Sequence, residues 1–125
     1  MRTVALMSFA ALAGGVFAGF GASPAQAQNV DLWQSPSGNI RCAYVNQTGL
    51  GCYTRHDGRW AVIRSFGGSA VFYSRNSLPR GRVLRYGATW RRSTFRCQSR
   101  RDGMRCWSTH TGRGFHISRE TAYSW

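Results

Sequence analysis

The polarity pattern of the C-terminal half has a period of two. In FRCQS (95–99) and GMRCW (103–107), Phe95, Cys97, Met104 and Cys106 fall on one side of an extended chain, and Arg96, Gln98 and Arg105 on the other. Such alternation describes strands with an apolar face turned inward. Upstream, WAVIRSF (60–66) and SAVFYSR (69–75) are rich in β-branched and aromatic residues, and Gly67-Gly68 between them reads as a two-residue hairpin turn. RVLRYG (82–87), ATWRR (88–92) and STFRCQS (93–99) continue the series, broken once by Pro79 and Gly81. Helical period is absent except over SRETAYSW (118–125), where Ser118 is placed to cap a short C-terminal helical turn. The expected class is all-β, a small antiparallel meander forming a sandwich or a partly open barrel.

The chain also repeats itself. GLGCYTRHDGRW (49–60) and GMRCWSTHTGRGF (103–115) carry a Cys, an aromatic residue, a hydroxyl residue, a His, a Gly and an Arg in the same order and spacing. Ile40-Arg41-Cys42 likewise matches Phe95-Arg96-Cys97. Each pair of cysteines flanks a turn, VNQTG in the first copy and SRRDG in the second. Folded as hairpins, Cys42 faces Cys52 and Cys97 faces Cys106, within disulfide range at about 4.5–5.5 Å between Cα atoms. The spacing predicts those two bridges, with Arg100 to Gly103 as the loop of the second hairpin. Zinc is not expected, because its ligands pair at closer spacing, and no cofactor is implied.

Met1-Arg2, an apolar run from Val4 to Phe20 and Ala25-Gln26-Ala27 have the layout of a secretory signal peptide over residues 1–27, cleaved after Ala27. The run is short for a membrane anchor, and the first Cys is Cys42, too far downstream for lipidation. Residues 28–125 then form a single domain, secreted or periplasmic, where disulfides persist and no transmembrane segment remains.

Charge changes this picture most. All 17 basic residues are Arg, against 4 acidic ones, for a net +13. A polyanion follows as partner: envelope polysaccharide, lipid headgroups or nucleic acid. Arg91, Arg92, Arg96, Arg100, Arg101 and Arg105 crowd one hairpin and its entry turn, with Tyr86, Trp90 and Trp107 interleaved. Guanidinium forks bind phosphate or sulfate in pairs of hydrogen bonds, and aromatic faces stack on bases or sugars. The tryptophans are expected in the core and the arginines on the face opposite it.

Catalytic chemistry is thinly supplied. There is no GxSxG, no Walker loop and no paired carboxylates of glycosidase type. His56 and His110 each stand two residues before a Gly, where a polar side chain holds turn backbone. His116, between Phe115 and Ile117, is expected on the surface. The alternative is a small basic ribonuclease-like hydrolase, with His110, His116 and Glu120 as acid and base and Arg113 or Arg119 at the transition-state charge.

SPSGNIRC (35–42), LRYG (84–87), FRCQSRRDGMRCW (95–107) and GRGFHISRETAY (112–123) resemble a family of small secreted bacterial proteins built on a domain of unknown function. The resemblance implies a secreted β domain and no activity. Members often carry a third Cys pair between the two halves; here the middle has none, and Ser74 stands about where one falls. The position after Gly112, often His in the family, is Arg113. The expected role is therefore non-catalytic binding of an anionic ligand at the cell envelope or beyond it.

Overall fold

Cys42 faces Cys52 and Cys97 faces Cys106 in the computed structural model, which describes residues 29–125. Both pairs are bonded. The proposed leader, 1–27, lies outside the described residues.

Each cysteine copy builds one sheet. The first contains β1 (Val30–Gln34), β2 (Ile40–Val45), β3 (Gly49–Thr54), β4 (Arg59–Arg64) and β5 (Ser69–Tyr73), each antiparallel to the next. The second contains β7 (Thr89–Arg92), β8 (Phe95–Arg100), β9 (Gly103–Ser108), β10 (Gly114–Ile117) and β11 (Ala122–Ser124), a meander of the same kind. The short β6 (Arg82–Val83) joins the first sheet parallel to β1, so the chain is a meander with one crossover. The two sheets pack face to face as a sandwich.

Period-two patterning explains what lies between them. Ile40, Cys42, Tyr44, Leu50, Cys52, Ala61 and Ile63 of the first sheet meet Trp90, Phe95, Cys97, Met104, Cys106, Phe115 and Ile117 of the second. Both disulfides lie in this layer with their cysteines fully buried. The repeat extends to the backbone. Gly49 and Gly103 open β3 and β9 with φ of +138° and +134°, and an added Cβ would lie 2.1 Å from the Ile63 carbonyl oxygen and 2.4 Å from that of Ile117. Equivalent glycines thus meet equivalent isoleucines, because only a residue without a side chain lets the next strand come this close.

The outer faces differ. On the first sheet Ala43, Val45, Tyr53, Trp60 and Val62 form a second apolar cluster, with Leu78 packed on it. Leu78 belongs to the segment 74–81, which straps this face on its way from β5 to β6. The strap is tied down where Trp60 Nε1 donates to the Asn76 carbonyl at 3.2 Å and Arg41 Nη1 to the Leu78 carbonyl at 3.1 Å. Strands buried on both faces read as unbroken apolar runs such as WAVI. Among the described residues, no segment straps the outer face of the second sheet.

Three local expectations are corrected. Arg100 pairs with Gly103, so the β8–β9 turn is only Arg101-Asp102. The β4–β5 connection is wider than Gly67-Gly68, since β4 ends at Arg64 and β5 begins at Ser69. The C-terminal helical turn does not form. Ser118 does cap, its Oγ accepting from Thr121 N at 3.1 Å, but it closes a tight turn into β11. Pairing of Tyr123 with His116 outweighs the weak propensity of so short a helix.

Candidate functional site

Strand alternation sets out the outer face of the second sheet in rows. Thr89, Gln98, Arg105, His116 and Tyr123 are cross-strand neighbours over all five strands of the second sheet. The adjacent row is Arg91, Arg96, Trp107 and Gly114, extended by Trp125, whose backbone exchanges hydrogen bonds with Gly114. Arg100 begins the third row at the turn. Where the first copy has Ala43, Gly51 and Val62, the second has Gln98, Arg105 and His116, which makes one outer face apolar and the other cationic.

Trp125 anchors this surface. Its Nε1 donates to the Gly112 carbonyl at 3.0 Å, and its main-chain oxygen accepts from Ser69 Oγ at 2.7 Å. Gly114 leaves room for the ring, since a Cβ there would lie 2.5 Å from it. The Arg105 guanidinium stacks on the same ring, 4.5 Å from its centre. A groove of about 270 Å³ results, lined by Gln98, Arg100, Arg105, Trp107, Gly112 and Trp125.

Of the six arginines singled out in the sequence, Arg91, Arg96, Arg100 and Arg105 lie on this face. Arg96 is held by the carbonyls of Ser93 and Phe95, at 3.0 and 2.8 Å. Arg100 sits 3.4 Å from Asp102 in an exposed ion pair. Arg101, at the turn, covers the Tyr86 ring at 5.1 Å. Arg92 alternates to the inner side and lies over Tyr44 at the sandwich edge. Trp90 is core as expected, but Trp107 is half-exposed on the outer face, a correction that follows from its register opposite Arg96.

The histidines are dispersed. His110 is exposed in the β9–β10 turn, whereas Glu120 lies in the β10–β11 turn at the other end of β10, about 10 Å of strand away. His116 lies between them on the outer face, 9% exposed and stacked on Tyr123 at 5.3 Å, so it is not the surface residue expected. The three are not brought together. Nor do His56 and His110 hold their turns through their rings. In the second copy Ser108 Oγ accepts from the amides of His110 and Thr111. In the first, Thr54 donates to Asp57, which also takes Arg59 in an ion pair of 2.8 Å. The Thr54 hydrogen bond, aided by the Arg59 amide and charge, holds the Asp57 carboxyl below its ordinary value. The hydroxyl four residues before the Gly was the signal for the turn.

A second depression lies at the end of the sandwich, where the β3–β4 turn of the first sheet meets the β8–β9 turn of the second. This cleft of about 540 Å³ takes Arg55 and His56 from one side and Arg100, Arg101 and Arg119 from the other, with Asn39 and Tyr86 in its wall. Asp102 and Glu120 are its acids. No local pattern foreshadows this cleft, because it joins segments far apart in the chain.

Among the described residues no group of His, Cys, Asp and Glu is arranged to hold a metal ion, and no helix is long and apolar enough to cross a membrane. No curated protein and no solved structure matches the chain significantly. Residues 74–124, which span the strap, β6 and all five strands of the second sheet, match the family model described as a family of unknown function (DUF6636), in agreement with the resemblance read from the sequence.

Proposed function

We propose that this protein is a secreted, non-catalytic binding domain whose uncovered second-sheet face takes an anionic polymer at the cell envelope or outside the cell. One observation carries the reading. Two sheets of one repeated design differ in their outer faces, and the face without a strap is the one bearing Arg91, Arg96, Arg100 and Arg105 beside Trp107. Mutual repulsion among these guanidinium groups falls when an anion lies across them, so binding is favoured by charge and opposed by salt. The arginines of β8 and β9 rise from a sheet fixed by a buried disulfide, so little side-chain support has to be ordered on binding.

The test compares two triple variants of equal charge on an immobilised acidic polysaccharide. Arg96→Gln/Arg100→Gln/Arg105→Gln should elute at much lower salt than the control Arg64→Gln/Arg75→Gln/Arg80→Gln. Equal loss in both would mean that only net charge matters, and would sink the reading. End-labelled RNA incubated with the wild type should keep its length; shortening that disappears in His110→Ala would establish the hydrolase instead.

A further inference from the structure

Three depressions on this molecule share a single side chain. Arg100 lines the groove beside Trp107 and Trp125, the hollow next to Tyr86 and Gly87, and the end cleft with Arg55 and His56. Gln98 joins the first two, and Tyr86 and Arg101 the last two. The hollows therefore form one track. It runs along β8 on the outer face, turns at Arg101 and ends between the two sheets. Its cations follow in order: Arg105, Arg100, Arg101, then Arg55 and Arg119. From Gln98 to Arg100 alone the strand rises about 7 Å, and the cleft extends the path past the turn.

We propose that this track is the binding site of a linear acidic polysaccharide, with a carboxylate presented to successive arginines along the chain. The inference rests on the anionic-polymer reading and goes beyond it by fixing the ligand's shape and class. A run of cations in single file suits a chain better than a compact ion, which would engage one end only. Sugar is favoured over single-stranded nucleic acid by the aromatic rings. Tyr86 and Trp125 already carry Arg101 and Arg105, which leaves Trp107 as the groove's ring without a stacked arginine among the described residues, and one ring is too few for successive bases. Between the cations stand amides suited to sugar hydroxyls: those of Gln98 and Asn39 have no hydrogen-bond partner among the described residues. Arg55 and Arg119, from different sheets, have no carboxylate partner among the described residues either.

The test uses the oxidised protein and galacturonate oligomers from dimer to octamer at fixed ionic strength, with binding followed by tryptophan fluorescence and calorimetry. Affinity should climb steeply from dimer to hexamer and then level. Arg55→Ala and Arg105→Gln, at opposite ends of the track, should each weaken the hexamer by about two- to fivefold, as expected for exposed charge contacts. A dimer binding as tightly as the hexamer, or a hexamer indifferent to Arg55→Ala while sensitive to Arg105→Gln, would overturn the track and leave the anionic face standing. Failure of oligomers and long polymer alike would overturn both readings. An oligouridylate of equal charge binding more tightly than the hexamer would overturn the assignment to sugar.

Discussion

The indole of Trp33 in β1 lies flat on that of Trp90 in β7, with ring centres 4.0 Å apart and planes 17° from parallel. These are the first strands of the two sheets in chain order, so the stack joins β1, flanked by β6, to the edge strand β7. Asp31 completes the joint, accepting from Trp90 Nε1 at 2.6 Å. Trp33→Ala should cost about 3–5 kcal/mol, as for other large buried aromatics. Asp31→Ala should cost about 1–3 kcal/mol by leaving the indole N–H without its acceptor. Urea unfolding checks both, and a change under 0.5 kcal/mol (~0.5, the surface range) for Trp33→Ala would show that the stack does not hold the sheets together.

The two bridges close short loops, with separations of 10 and 9 residues. Each should contribute roughly 2–3 kcal/mol. Because all four cysteines are fully buried, a mild thiol should reduce them only as fast as the sandwich opens. Timed alkylation with and without urea measures this. Rapid reduction of the folded protein would place the bridges at the surface.

Gly49→Ala and Gly103→Ala should destabilise by similar amounts, about 2 kcal/mol or more each, since both force a Cβ into the neighbouring carbonyl at a positive φ. Gly87→Ala is the contrast, with positive φ but open space around it, and should cost less. Thermal midpoints of the three variants, measured together, test whether close approach or backbone conformation dominates.

Asp57 gives the first copy a pH dependence that the second, with Thr111 in its place, lacks. The folded carboxyl ionises below its ordinary 3.8, so its contribution is present above that pH and is lost as pH falls through the lowered value. The site is half-exposed, so the effect is small. Asp57→Asn should lower stability slightly near neutrality, where the contribution is present, and flatten the acid limb, where it is lost in the wild type. An unaltered acid limb would remove Asp57 from the account.

Much of the fold is written in the chain at short range. The repeat and the alternation in FRCQS and GMRCW placed both bridges, the inner residues Phe95 and Met104, and the outward Arg96, Gln98 and Arg105. The wrong details came from features that depend on neighbouring strands. Trp107 looks like core until its register opposite Arg96 is known. Ser118 looks like a helix cap until β10 draws the tail into a strand. The strap over the first sheet is foreshadowed only by the unbroken WAVI run. Of the site, the arginines were legible, while Trp125, Asn39 and Arg55 were not. Their proximity to the arginines arises from sheet packing and a C-terminal register that no local pattern encodes.

The most direct measurement of the central claim is a residue-by-residue map of where an acidic polymer lies. Polygalacturonate titrated into the isotopically labelled protein should shift the backbone signals of β8, β9 and their turn, and the guanidinium signals of Arg96, Arg100 and Arg105, with the strap at 74–81 undisturbed. Shifts largest on the strap, or spread evenly over every arginine, would contradict the assignment of the second sheet's outer face as the binding surface.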